Sequence, residues 1–288
     1  MSAQTIQVGA YALSFISDGY FYLDAGTMFC RIPKTVWSRF VAVDEENRMK
    51  LALNCLLIQY KGRNILVNAG IGEKFSEKFK KIYKIERQEN IILSLEKAGI
   101  TPEDVDFVIF THLHLDHCGA ATRLENRKSQ PVFPNARYII QKEEWESALN
   151  PNELTRGSYL ADNILPLKDR LILIDNSMNL AQMGFAEIRL IKTKAHSEGH
   201  QIVEITDNNK KVVYVSDLIP TSKHVHLPYI MAWDIDPVGV INKKKELLSK
   251  FAEEDYTVLW EHDVEYGYGK IGFENGKYFA KDLVPKLT

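Results

Sequence analysis

Residues 112–117 read His-Leu-His-Leu-Asp-His, directly behind the apolar run DFVIFT. Three of the eight histidines in a chain of 288 residues, and a carboxylate, thus fall within six positions. Burying so many polar groups unpaired would be costly, whereas neutral imidazoles and carboxylates are the ligands that zinc, iron and manganese accept. In extended chain, side chains alternate at period two. His112, His114 and Asp116 therefore converge on one point if the chain stays extended past DFVIF, while His117 faces an adjacent point. The pattern predicts half of a centre for two neighbouring metal ions.

Three later strand-like runs end in a ligand type as well. AEIRLIKTKA runs into His196, KVVYVS into Asp217 and YTVLWE into His262. A fold that gathers the C-terminal ends of these runs would bring five histidines and two aspartates into one cleft. The rest of the chain supplies material for such a fold. NCLLIQY and NILVNAG flank Lys61-Gly62-Arg63 as a hairpin. Phe75, Phe79, Ile82, Tyr83, Ile92 and Leu95 repeat near 3.6 residues before Gly99, which predicts one amphipathic helix or two. Further helices are expected over about 119–126, KEEWESALN and VINKKKELLSKFAEE. Many strands with few helices suggest an α/β (α+β) chain of two sheets covered by helices on their outer faces. Pattern alone does not choose this over a doubly wound sheet.

No repeat, low-complexity tract or linker divides residues 1–288, so one continuous domain is expected. With a formal net charge of -2, nothing favours nucleic acid or an anionic membrane as partner. The lysines of FSEKFKKIYK and INKKKELLSK read as solvated helix faces. Cys30, Cys55 and Cys118 are widely spaced, without a CxxC pair, which suits a reducing interior; Cys118 reads as a small packed residue. No signal peptide or membrane span is visible, and the cytoplasm is the expected location. MFCRIPKTVW is apolar enough to contribute to a homodimer contact.

The order THLHLDH, AHSEGH, VSD, EHD, reaching from residue 112 to residue 262, resembles the metallo-β-lactamase superfamily of metallohydrolases. The resemblance implies a four-layer αββα sandwich of two mixed sheets, with two divalent metal ions at one edge. Zinc is the first expectation, and iron, manganese or cobalt also suit such ligands. Carried over by position, His112, His114 and His196 hold the first metal, Asp116, His117 and His262 the second, and Asp217 bridges both. His200 takes a supporting place. LDAGTMFCRIPKTVW and SDLIPTSKHVHLPYIMAWDIDP further resemble the subgroup that holds quorum-quenching lactonases and methyl-parathion-hydrolase-like phosphotriesterases. Two positions depart from it. Asn68 stands where these families usually carry an aspartate that buttresses the metal loop, which implies a less ordered loop. Pro220 stands where the small acyl-homoserine lactonases carry a substrate-contacting tyrosine.

The chemistry so implied is hydrolysis by a hydroxide bridging two metals roughly 3.5–4 Å apart, whose parent water has a pKa lowered toward about 7. Asp116 would orient it and shuttle its proton to the leaving oxygen. An aspartate rather than a thiolate at 217 moves the expectation away from β-lactams. The expected substrate is a small molecule, a lactone such as an N-acyl homoserine lactone or a related ester. The alternatives are a phosphotriester or a promiscuous range of esters, or, in another class, a diiron redox or metal-binding module. A glutathione thioesterase lacks its basic cluster here, and a nuclease its RNA-binding region. For the substrate pocket, His224, Tyr20, Phe29 and Trp233 are the candidates, with His226, Tyr229, Phe21, Tyr22 and Met28 nearby.

Overall fold

Residues 5–286 are described by a computed structural model. The first sheet contains β1 (Thr5–Val8), β2 (Tyr11–Asp24), β3 (Arg48–Tyr60), β4 (Arg63–Val67), β5 (Phe107–Ile109) and, after a separate hairpin of β6 (Thr122–Glu125) and β7 (Lys128–Pro131), β8 (Arg137–Gln141) and β9 (Leu171–Ile174), in that spatial order. Its first four strands are antiparallel neighbours; β4, β5, β8 and β9 run parallel. The second sheet is β10 (Met178–Leu180), β11 (Phe185–Lys192), β12 (Gln201–Asp207), β13 (Lys210–Tyr214), β14 (Thr257–Leu259), β15 (Tyr266–Glu274) and β16 (Lys277–Pro285), antiparallel except for the β13–β14 pair.

Both faces of the central strands are buried, which is why they read as unbroken apolar runs. Ile65, Val67, Ile109 and Ile139 point inward against Ile188, Leu190, Val203, Ile205 and Leu259 of the other sheet, forming the interior of the sandwich. Leu66, Val108 and Tyr138 point outward. Helices α1 (Ala25–Met28) and α2 (Lys34–Trp37) follow β2; α3 (Glu77–Tyr83) and α4 (Ile91–Lys97) follow β4; α5 (Leu115–Cys118) follows β5; α6 (Lys142–Leu149) and α7 (Ala161–Ile164) lie between β8 and β9. Ile91, Leu95, Ala148 and Ile164 from this set cover the outer face of the first sheet. The long α8 (Pro237–Glu253) lays Val240, Leu247, Leu248 and Phe251 on Val213, Val258 and Trp260 of the second. The result is the expected αββα sandwich.

The Lys61-Gly62 hairpin forms as read, with Tyr60 opposite Arg63 and both turn residues at positive φ. The amphipathic stretch before Gly99 becomes two helices, because Lys84 takes a left-handed conformation at the end of α3 and Glu86 then bridges to Tyr20. Two expectations change. The helix expected over 119–126 is a short 3-10 turn and the β6–β7 hairpin, turned at Asn126-Arg127, both at positive φ. The β15–β16 hairpin turns at Asn275-Gly276, both at positive φ, as an Asn-Gly pair favours. Lys244 leaves the solvated face: it is fully buried, and its Nζ donates to the carbonyls of His226 and Tyr229 at 2.8 Å. In MFCRIPKTVW, Met28, Phe29 and Trp37 are buried in the chain's own core, while Val36 stays 37% exposed.

Candidate metal centre

The C-terminal ends of β5, β11, β13 and β14 meet at one edge of the sandwich. His112 and His114 follow β5, and His114 caps α5, whose single turn carries Asp116 and His117. His196 lies in the β11–β12 connection, Asp217 in a 3-10 turn after β13, and Glu261 and His262 directly after β14. The extended chain expected through 112–117 is therefore broken at His114. Helical winding turns Asp116 away from His112 and His114 and toward the other set. Its Oδ2 lies 3.4 Å from His117 Nε2 and 3.7 Å from His262 Nε2.

Asp217 sits between two groups of donors. Its Oδ2 is 3.2 Å from His196 Nε2, 3.5 Å from His117 Nε2 and 3.8 Å from His112 Nε2, and its Oδ1 is 2.9 Å from His262 Nε2. His114 Nδ1 lies 3.1 Å from His196 Nε2. Potential ligand atoms of His112, His114, His196 and Asp217 all fall within 4.8 Å of one another, as do those of His117, Asp217, Glu261 and His262.

The other ring nitrogens fix which atoms face inward. His196 Nδ1 is 2.8 Å from Asp234 Oδ1, His262 Nδ1 is 2.8 Å from the Ala52 carbonyl, and His117 Nδ1 is 3.1 Å from Glu261 Oε1. Each partner only accepts, so each Nδ1 donates, and Nε2 is the atom that each ring turns toward the cluster. His112 Nε2 and His117 Nε2 are buried without a hydrogen-bond partner, a costly state unless a cation takes the lone pairs. The donor set thus fits divalent metal ions.

Electrostatics agree. Burial, reinforced by neighbouring histidines, holds His112 well below its usual pKa and His114 down at about 3. Burial also lowers His117, but the carboxylates of Glu261, Asp116 and Asp217 outweigh it and hold that ring well above its usual value. Burial alone would raise Asp217; His117, His262 and His196 outweigh it and keep the carboxyl well below the carboxylate range. The same charges that hold a proton here would hold a cation.

Above the cluster opens a cavity of about 700 Å³, mouth included, lined by His114, Asp116, His196, Asp217 and His262 and walled by Phe21, Leu23, Met28, Leu51, Tyr83, Leu115, Leu154, Met231 and Trp233. Of the substrate candidates, Trp233 lines it. Tyr20 lies elsewhere, under the Lys50 ammonium at 4.0 Å. Phe29 is buried behind the wall, stacked on His224 with ring centroids 4.7 Å apart. His224 is itself buried: Nε2 donates to the Met28 carbonyl at 2.9 Å, and Nδ1 accepts from Thr221 Oγ1 at 2.8 Å. His226 contacts Tyr229 at the loop edge, and His200 Nδ1 bonds Thr193 Oγ1 at 2.7 Å. Cys118 is packed, its thiol directed at the Leu113 carbonyl.

Several residues that shape the site were not singled out from the sequence: Glu261, Asp234 and Glu144. Glu261 was visible beside His262 in EHD. Asp234 and Glu144 carried no local signal, because they matter only through contacts across 38 and 53 positions of chain, to His196 and Ser197.

The family model described as the metallo-beta-lactamase superfamily matches residues 50–262. An N-acyl homoserine lactonase AttM of Agrobacterium fabrum is 30% identical over 190 residues, which cover 62% of this chain and 66% of the relative, just under two-thirds of its length. The N-acyl homoserine lactonase AiiA of Bacillus thuringiensis subsp. kurstaki is 26% identical over 229 residues, 75% of this chain and 83% of that one. A solved structure of a probable metal-dependent hydrolase from Staphylococcus aureus aligns with a TM-score of 0.91 at 27% identity, over 98% of this chain and 99% of that one. AidC, a dizinc quorum-quenching lactonase, aligns with a TM-score of 0.81 at 22% identity, over 100% and 98%, a likeness of fold. By its ligand order, its sandwich and the family match over residues 50–262, the chain belongs to the metallo-beta-lactamase superfamily.

Proposed function

We propose that this protein is a metal-dependent hydrolase that opens a lactone, in the class of N-acyl homoserine lactones, at a two-metal centre. The observation that carries the reading is the pairing of a buried, doubly clustered His/Asp site with a mostly apolar cavity directly above it. Among the described residues lining that cavity there is neither lysine nor arginine, which suits an uncharged ester with an apolar arm rather than an anionic substrate. The curated relatives named for N-acyl homoserine lactones support the same class.

His112, His114 and His196 would hold one ion, Asp116, His117 and His262 the other, with Asp217 between them. Two divalent ions so held supply Lewis-acid polarisation of the ester carbonyl and acidify water enough for attack near neutral pH. The chain's own groups do the rest. Phe21, Met28, Leu51, Met231 and Trp233 exclude water and hold the acyl arm. Asp116, which faces the cavity beside His117 and His262, takes the proton of the attacking water at a carboxylate oxygen. It returns that proton to the ring oxygen as the acyl C–O bond breaks, so a hydroxy acid leaves with no proton lost or gained overall.

The test is turnover of a lactone panel by metal-loaded protein, read beside aryl phosphotriesters on the same preparation. Ring opening that disappears with a chelator and in His112→Ala supports the proposal. A metal-loaded chain inert to every lactone, or one that prefers phosphotriesters, rejects it.

A further inference from the structure

At the Nδ1 end of the His117 ring, two fully buried side chains face each other: Asn68 after β4 and Glu261 after β14. Asn68 Nδ2 lies 3.0 Å from Glu261 Oε1 and 2.8 Å from Oε2. Ser216 Oγ donates to Glu261 Oε2 at 2.6 Å, and His117 Nδ1 is 3.1 Å from Oε1. The orientation of the amide is set from its other end. Asn68 Oδ1 accepts from the Thr111 backbone N–H at 2.9 Å and lies 3.1 Å from Thr111 Oγ1. Rotating the amide would turn its NH2 onto that N–H and its oxygen onto a carboxylate, so the nitrogen must face Glu261. Asn68 Nδ2 is also 3.0 Å from His117 Nδ1. Two donors tolerate that approach because both converge on the same carboxylate.

We propose that Asn68 and Glu261 are a matched pair: Glu261 is the buried acceptor that fixes the tautomer and aim of His117, and Asn68, by being an amide, supplies the donor that this acceptor faces. Glu261 is a positioning residue that acts on the metal through His117. An aspartate at 68 would set acceptor oxygens against the oxygens of Glu261 at 2.8–3.0 Å, with no donor between them. Exchanging the two functions leaves one amide facing one carboxylate in the same place, since position 68 also reaches His117 Nδ1 at 3.0 Å. This inference rests on the metal-centre part of the proposed function and not on its substrate.

The test is binding of Zn²⁺ alone, measured as stoichiometry and affinity by equilibrium dialysis against a competing chelator, with circular dichroism to monitor folding. Loss of a carboxylate behind a ligating histidine weakens metal binding about 10–100-fold. Asn68→Asp and Glu261→Gln, each alone, should therefore weaken the second equivalent of zinc by that order or fail to fold. The double variant N68D/E261Q should fold and bind zinc at least fivefold more tightly than either single variant. Wild-type affinity in either single variant, or a double variant no better than the singles in folding and zinc content, overturns the proposal. An unaltered chain that binds no zinc would instead overturn the metal centre itself, which distinguishes the two failures.

Discussion

Asp234 shows how much of a metal centre is decided one residue behind its ligands. Its Oδ1 takes the Nδ1 proton of His196 at 2.8 Å, while its Oδ2 accepts from the Met231 backbone at 2.8 Å. One carboxylate therefore both aims a ligand and ties down the cavity wall. Asp234→Ala should lower zinc affinity about 10–100-fold, read by chelator competition, and should raise KM as well, because Met231 and Trp233 lose their anchor. His224 makes a second prediction, about stability. Burial pushes its pKa down to about 3, below the unfolded value near 6.5. The unfolded chain thus binds a proton that the folded chain refuses, and this group's contribution to stability falls as pH drops through that window. Urea unfolding at several pH values should show His224→Gln losing about 1.4 kcal/mol less per pH unit than the parent between roughly pH 6 and pH 4. Identical slopes in the two proteins would refute the assignment. At this scale the sequence disclosed His112, His114 and His117 as candidate ligands, because imidazoles crowd visibly. It did not disclose Asp234, a single aspartate between Trp233 and Ile235 with nothing in the local pattern to set it apart.

Glu144 of α6 does at the level of elements what Asp234 does for one ring. Its Oε1 accepts from the Leu113 N–H and the Tyr159 hydroxyl, each at 2.9 Å, and its Oε2 from Ser197 Oγ at 2.6 Å and the Gly199 N–H at 3.0 Å. One buried side chain thereby joins the β5–α5 turn to the β11–β12 connection, which carry His112, His114 and His196. Glu144→Gln places an NH2 against a backbone N–H, that of Leu113 or that of Gly199, whichever way the amide turns, and should destabilise the protein by about 1–3 kcal/mol. An unchanged urea midpoint would show the link to be dispensable. Gly119 makes a complementary close approach: a Cβ there would stand 2.0 Å from the Ile71 carbonyl oxygen, so the loop after β4 can lie flat on the metal turn. Elements with strong local codes were legible, such as Lys61-Gly62 between two apolar runs and the apolar period of α8. The β6–β7 hairpin was not, because its short, polar strands offer no alternating apolar face to read. The helical turn at Asp116 was missed for a different reason. Period-two geometry was extended past His114, where capping of α5 begins.

Across the whole molecule, the comparison with known folds and the sequence agree on the sandwich, while part of the cavity wall comes from the loops around 154–158 and 231–233, whose course no sequence pattern dictated. Residue order along the chain foretold that four strand ends meet; it did not foretell that they belong to different sheets. His112, His114, Asp116 and His117 follow a strand of the first sheet, and His196, Asp217 and His262 follow strands of the second. An ion held by this site is consequently a clasp between two halves of the fold separated by up to about 150 positions of chain, and it can form only after both halves have docked. Metal then binds the native state alone and adds about 2.7 kcal/mol at a free concentration one hundred times its Kd. Removing it with a chelator should lower Tm by several degrees in a concentration-dependent way, followed by calorimetry; a Tm indifferent to metal would show the halves to be joined without it. The site would then be a late fastening, closed last in folding and first to give way when the two sheets part.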